Sequence, residues 1–76
     1  MYTVYGYEKD SDIYDEIGTY SFGLARTVAR DLCLVNAKCK ETNQPYDWFL
    51  IESKECSSSK YIIHKNRNNE VICEDY

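Results

Sequence analysis

Ser21-Phe22-Gly23-Leu24-Ala25-Arg26-Thr27-Val28-Ala29-Arg30-Asp31-Leu32-Cys33-Leu34-Val35-Asn36 is the stretch on which the fold turns. Ala25, Val28, Ala29, Leu32 and Val35 recur at intervals of three and four, the period that lines apolar side chains along one stripe of an α-helix. Arg26, Arg30 and Asp31 fall toward the other side. The hydroxyl of Ser21 is placed to accept an orphan N–H of the first turn, and Asn36 can take the left-handed conformation that ends a helix. The spacing therefore predicts a helix from about Phe22 to about Asn36. Its single apolar stripe needs a layer to pack against.

The residues on either side supply that layer. Tyr2–Tyr7 is rich in aromatic and β-branched residues and precedes a polar run, which reads as a strand ending in a turn at Lys9-Asp10-Ser11-Asp12. Ile13–Tyr20 reads as a shorter return strand, with Gly18 marking a bulge or bend. Beyond the helix, Cys39–Pro45 lacks apolar periodicity and Pro45 ends any helix, so this is a loop. Tyr46–Glu52 reads as a strand and Lys54–Ser59 as a polar loop. Lys60–Lys65 and Glu70–Asp75 are strands joined by Asn66-Arg67-Asn68-Asn69, whose asparagines tolerate positive φ. Setting Lys65 opposite Glu70 matches Ile63 with Ile72, Ile62 with Cys73 and Lys60 with Asp75, and this is the register the side-chain pairs favour. The fold class is α+β, a two-layer sandwich with one helix on a mostly antiparallel sheet of four or five strands. The order is ββαβββ, or βαβββ if Ile13–Tyr20 is not a strand. Residues 1–76 make one domain.

One helix covers one face of a sheet, and a face left to water should carry polar side chains. These strands do not alternate in that way. Trp48 and Leu50 point opposite to Phe49 and Ile51, and Tyr61 and Ile63 opposite to Ile62 and His64. Both faces thus carry apolar groups. Either the N-terminal segment folds across the second face, or that face meets another protein or a second copy of the chain as a homodimer.

Charge is distributed unevenly. Residues 1–20 carry Glu8, Asp10, Asp12, Asp15 and Glu16 against Lys9 alone, whereas the remaining eight acids and eight bases cancel to leave the net charge of −4. Tyr5, Tyr7, Tyr14 and Tyr20 lie among these acids, and tyrosine is enriched at protein interfaces. Such a surface steers toward cations and repels DNA. The candidate protein-binding residues are Tyr5, Tyr7, Glu8, Asp10, Asp12, Tyr14, Asp15 and Glu16.

The remaining residues carry no complete catalytic or metal motif. Asp10-Ser11-Asp12 starts like a calcium loop, but Tyr14 and Asp15 occupy positions that a calcium ligand and the turn glycine require. Cys33, Cys39, Cys56 and Cys73 are separated by 5, 16 and 16 residues, without the close pair that zinc sites favour. Free thiols are expected, because no basic start and apolar run of a secretion signal opens the chain and no apolar stretch nears the about 18 residues that span a bilayer. The cytoplasm is the expected location, that of the host cell if the source is viral. His64 sits in a strand, with Cys73 the one thiol close across the hairpin. The three glycines are scattered at 6, 18 and 23, so no phosphate loop exists. A chain this short buries only about 60% of its unfolded surface and offers no deep cleft. No enzyme, no catalytic or metal residue and no cofactor is expected, and no membrane contact. Lys54, Lys60, Lys65 and Arg67 with Tyr61 and Trp48 form the alternative, a nucleic-acid-associated regulatory sheet. Glu52, Glu55, Glu70, Glu74 and Asp75 dilute it, and direct nucleic-acid binding is not expected.

In its length, the Tyr2–Tyr7 opening strand, the acidic Glu8–Glu16 stretch, the Ser21-capped helix and the Trp48-to-Cys73 strands, the plan resembles small phage-encoded proteins that disarm host defences or host enzymes. Anti-CRISPR proteins and anti-restriction DNA mimics belong to that class. The resemblance implies occlusion of a partner's functional surface rather than catalysis, and transfers no functional residue. The expectation is a small acidic protein-binding domain, a stoichiometric inhibitor that covers a basic, nucleic-acid-binding type of surface on a host protein.

Overall fold

The computed structural model describes residues 1–9, 12–56 and 58–76. The chain runs β1 (Tyr2–Tyr7), β2 (Tyr14–Tyr20), α1 (Phe22–Leu34), β3 (Trp48–Ser53), β4 (Lys60–Lys65) and β5 (Val71–Asp75). The five strands form one antiparallel sheet in the order β2-β1-β3-β4-β5, and α1 packs on one face of it. The class is α+β, in the order ββαβββ. The turn expected at Lys9-Asp10-Ser11-Asp12 lies partly outside the described residues, because Asp10 and Ser11 are not among them.

α1 approaches the sheet closely because its buried residues are small: Ala25, Ala29 and Cys33, spaced by one turn each. Above them lie Val4, Phe49, Ile51 and Ile63 from three neighbouring strands, each at most 2% exposed. Phe22 pins the start of the helix, its ring 4.9 Å from that of Tyr2 and 5.0 Å from that of Tyr61. Two details differ from expectation. The Ser21 side chain makes no cap hydrogen bond; its carbonyl accepts the Ala25 N–H instead. Val35 is 71% exposed, because the helix has already stopped. Asn36, with φ 53°, ends it: the Ala37 N–H reaches back to Leu32 O and the Asn36 N–H to Cys33 O, the pair of reversed bonds that closes a left-handed C-terminus.

Gly6 shows why the α1–β3 loop seats where it does. A Cβ at Gly6 would stand 2.7 Å from the Tyr46 ring, so only glycine admits that ring onto the sheet. Tyr46 then meets Phe49 edge-on at 5.3 Å between ring centroids.

The bulge expected near Gly18 is present. Val4 pairs with Gly18 but Tyr5 with Glu16, leaving Ile17 as the extra residue of β2. Ile17 packs against the core, while Thr19 turns to the other face and meets Thr3 at 3.2 Å.

The expected β4–β5 register is one residue off. Ile63 faces Cys73 rather than Ile72, and Lys65 faces Val71. The turn is the cause. Asn66 Oδ1 accepts the N–H groups of Asn68 and Glu70, the Asn66 N–H donates to Glu70 O, and Asn69 takes φ 65°. Asn66 and Glu70 thus close the loop opposite each other, with three residues between them where pairing Lys65 with Glu70 had assumed four. A slip of one residue exchanges the faces of every side chain on a strand, so Ile72 and Glu74 leave the helix side and Cys73 joins it. His64 and Cys73, expected to be close across the hairpin, lie on opposite faces. Among the described residues no helix is long and apolar enough to cross a membrane.

Candidate interaction face

On the face turned away from α1 no helix or second sheet of the described residues packs. The N-terminal segment does not fold across it but enters the sheet, as β1 between β2 and β3. The molecule's shortest extent is 18 Å, which accommodates one sheet and one helix.

The registers set out this face as a grid. Tyr14, Tyr7, Trp48, His64 and Ile72 are paired in succession across the five strands. Behind them run Glu16, Tyr5, Leu50, Ile62 and Glu74. The first row opens as a stack: Tyr7 lies 5.1 Å from Tyr14 at 19° and 5.7 Å from Trp48 at 12°. Tyr5 meets Tyr14 edge-on at 5.9 Å. Each such ring pair contributes about 0.5–1.5 kcal/mol beyond area burial, so the row is rigid. Burial first, then the Glu16 and Glu52 carboxylates, push the Tyr5 phenol above its ordinary value; burial and the neighbouring tyrosines do the same for Tyr7. Both phenols are therefore neutral near pH 7. Next to the stack a shallow groove of about 520 Å³ is lined by Trp48, Ile62, His64, Glu74 and Tyr76, with Lys9, Asp47 and Lys65 at its margin.

The rim is acidic but largely answered from within. Lys60 reaches Glu52 at 3.3 Å, and His64 Nε2 lies 3.6 Å from Glu74, an ion pair when the imidazole is protonated. Glu16, exposed at the β2 edge beside Tyr5 and Tyr14, makes no ion pair among the described residues.

The eight expected binding residues do not share one surface. Tyr5, Tyr7, Tyr14 and Glu16 stand together on the open face. Asp15 points to the helix side, where it accepts the Tyr46 hydroxyl at 2.5 Å. That bond, the Cys39 thiol and the Lys40 charge hold its carboxyl below the usual value, while burial and Asp15 push the Tyr46 phenol up. Glu8 accepts the Thr42 hydroxyl at 2.5 Å. Asp12 is exposed near the hairpin tip, and Asp10 lies outside the described residues. The acidic run is divided because alternate strand residues face opposite ways, and Asp15 and Glu16 are adjacent. Two of its members serve to attach the α1–β3 loop.

The alternative nucleic-acid set is divided as well. Trp48 and Lys60 face outward, whereas Tyr61 packs under Phe22 and Lys65 reaches Asn36 at 2.9 Å. Arg67 is exposed in the β4–β5 turn. Leu50, Ile62, Ile72, Glu52 and Glu74 join the face without having been singled out as binding residues. The alternation of β3 was a usable signal for Leu50, but the neighbours of β3 were not.

Cys33, Cys39, Cys56 and Cys73 are all free thiols, and no group of three or more metal-binding side chains occurs among the described residues. Searches of protein-family models, curated proteins and solved structures found no match to this chain.

Proposed function

We propose that this protein is a binding module that acts by covering a cationic surface of a protein partner with its open sheet face. The observation that carries the reading is the stacked row Tyr14–Tyr7–Trp48 on a sheet face on which no helix or further strand of the described residues packs. Rigid aromatic rings bury large area at small cost in side-chain entropy, and they dominate the energetics of protein interfaces. Glu16 supplies the charge preference: it stands beside two of the rings and makes no ion pair among the described residues, so a lysine or arginine of the partner would meet it. Binding of this kind needs no chemistry and blocks whatever the partner's cations serve, as a stoichiometric inhibitor does. A basic nucleic-acid-binding surface on a host protein is the partner class this fits.

Affinity capture with quantitative mass spectrometry tests it, comparing the wild-type chain, Tyr7→Ser/Trp48→Ser, Glu16→Gln and, on the opposite side, Lys38→Ala. The expected result is a basic protein retained by wild type and Lys38→Ala, lost from the double variant, and eluted at lower salt from Glu16→Gln. Equal retention by wild type and the double variant, with both folded by circular dichroism, overturns the reading.

A further inference from the structure

On the helix side, α1 leaves a cleft at the β5 end of the sheet. It encloses about 430 Å³ and is lined by Gly23, Arg26, Thr27 and Arg30 of α1, Ile63 of β4, and Val71 and Cys73 of β5. That volume is in the range of small-molecule sites, which run from about 300 to 1,000 Å³. Gly23 leaves the opening wide, since a Cβ there would meet nothing within 4 Å.

The two arginines distinguish this cleft from the rest of an acidic molecule. They are one helical turn apart on the same face, where like charges repel and weaken the helix. Among the described residues neither forms an ion pair or a side-chain hydrogen bond; Arg26 has only the Phe22 ring, 5.7 Å from its Cζ. Asp31 follows Arg30 directly in sequence and so cannot face it. Glu74 of β5 is on the opposite face of the sheet, and Asp75 is not among the lining residues. The Thr27 hydroxyl already donates to Gly23 O at 3.1 Å, which leaves the guanidinium groups and the weakly donating Cys73 thiol as the cleft's side-chain donors. Guanidinium pairs bidentately with phosphate and carboxylate oxygens alike, and of the two a phosphoryl group, with three acceptor oxygens and a charge of about −2, is the one that can engage both forks above the apolar floor.

We propose that this cleft binds an organic phosphate, its phosphoryl group between Arg26 and Arg30 and its apolar body on Ile63 and Val71. The site is independent of the open face. It neutralises a repulsive pair that forms no ion pair among the described residues.

Phenyl phosphate is the probe, titrated into the full chain and followed by ¹H–¹⁵N NMR, with inorganic phosphate and phenol in parallel. Shifts should saturate and centre on Gly23, Arg26, Thr27, Arg30, Val71 and Cys73. Arg26→Gln/Arg30→Gln should weaken binding by about tenfold or more, the loss expected when charged hydrogen bonds are removed. Inorganic phosphate and phenol should each bind more weakly than phenyl phosphate. A Cβ at Gly23 meets nothing within 4 Å and a side chain there favours the helix, so Gly23→Leu should narrow the opening and weaken binding while the melting temperature holds or rises. Shifts centred on other residues, unchanged affinity in the arginine variant, or inorganic phosphate binding as well as phenyl phosphate each overturn the proposal.

Discussion

Both faces of the sheet are built from apolar side chains, but they end in different situations. On the helix side, Val4, Phe49, Ile51 and Ile63 lie under the small residues of α1 and are fully buried. On the open side, Tyr7, Trp48, Ile62 and Ile72 are half-buried by one another and Tyr14 is 54% exposed. The two faces differ in arrangement. On the helix side the fully buried centre is aliphatic with one phenylalanine, and Tyr2, Tyr20 and Tyr61 are partly buried around it. On the open side Tyr7, Tyr14 and Trp48 stand in a half-exposed row beside Leu50, Ile62 and Ile72, and their polar tips tolerate water. A surface that is apolar in its middle, wettable at its edges and rigid by stacking is stable alone and still has area to bury.

The comparison is sharpest where truncation should separate stability from binding. Ile51→Ala, deep on the covered face, should cost about 2–5 kcal/mol in urea unfolding, because the close-packed site cannot collapse. Gly6→Ala comes next. The added methyl collides with the Tyr46 ring and should cost about 1–3 kcal/mol, with the loss reduced when Tyr46→Ala removes the ring. On the open face, Tyr7→Ala and Trp48→Ala should each destabilise by about 1 kcal/mol, with a double-mutant coupling of about 0.5–1.5 kcal/mol from their stacked contact. A coupling near zero would remove the claim that the row is rigid.

Acid tests the helix side in another way. The Asp15 carboxyl titrates below its ordinary value of 3.8 in the folded chain, so its contribution is present above that pH and is lost as pH falls through the lower folded value. Unfolding midpoints measured between pH 5 and pH 2 should therefore converge for wild type and Asp15→Asn at the acid end. The smallest effect is at Ser21. Its hydroxyl caps nothing, so Ser21→Ala should change stability by less than the about 1 kcal/mol typical of a working N-cap.

Much of the fold is legible in local pattern. β1 runs over Tyr2–Tyr7 and β4 over Lys60–Lys65, as read from aromatic and β-branched runs bounded by polar residues. α1 begins at Phe22, as its periodicity indicates, and the left-handed end falls on Asn36. The failures share a cause. The Asn66 side chain closed the β4–β5 turn one residue away from the pairing that apolar matching favoured. Cys33 entered the core and Val35 stayed out of it, because helix length and rotation were set by the sheet beneath. Asp15 and Glu8 counted as free charge until the α1–β3 loop folded back to them through Tyr46 and Thr42.

The sequence by itself determined the helix, four of the five strands and the apolar character of both sheet faces, because periodicity and turn chemistry act over a few residues, and left Ile13–Tyr20 open between strand and non-strand. Only the tertiary structure decided which residues share the open face. The Tyr7–Trp48 stack depends on β1 pairing with β3, whose residues meet across more than half the chain, and on registers set by a bulge and by one asparagine. Such long-range pairings are selected by the packing of the whole core, which no local window contains.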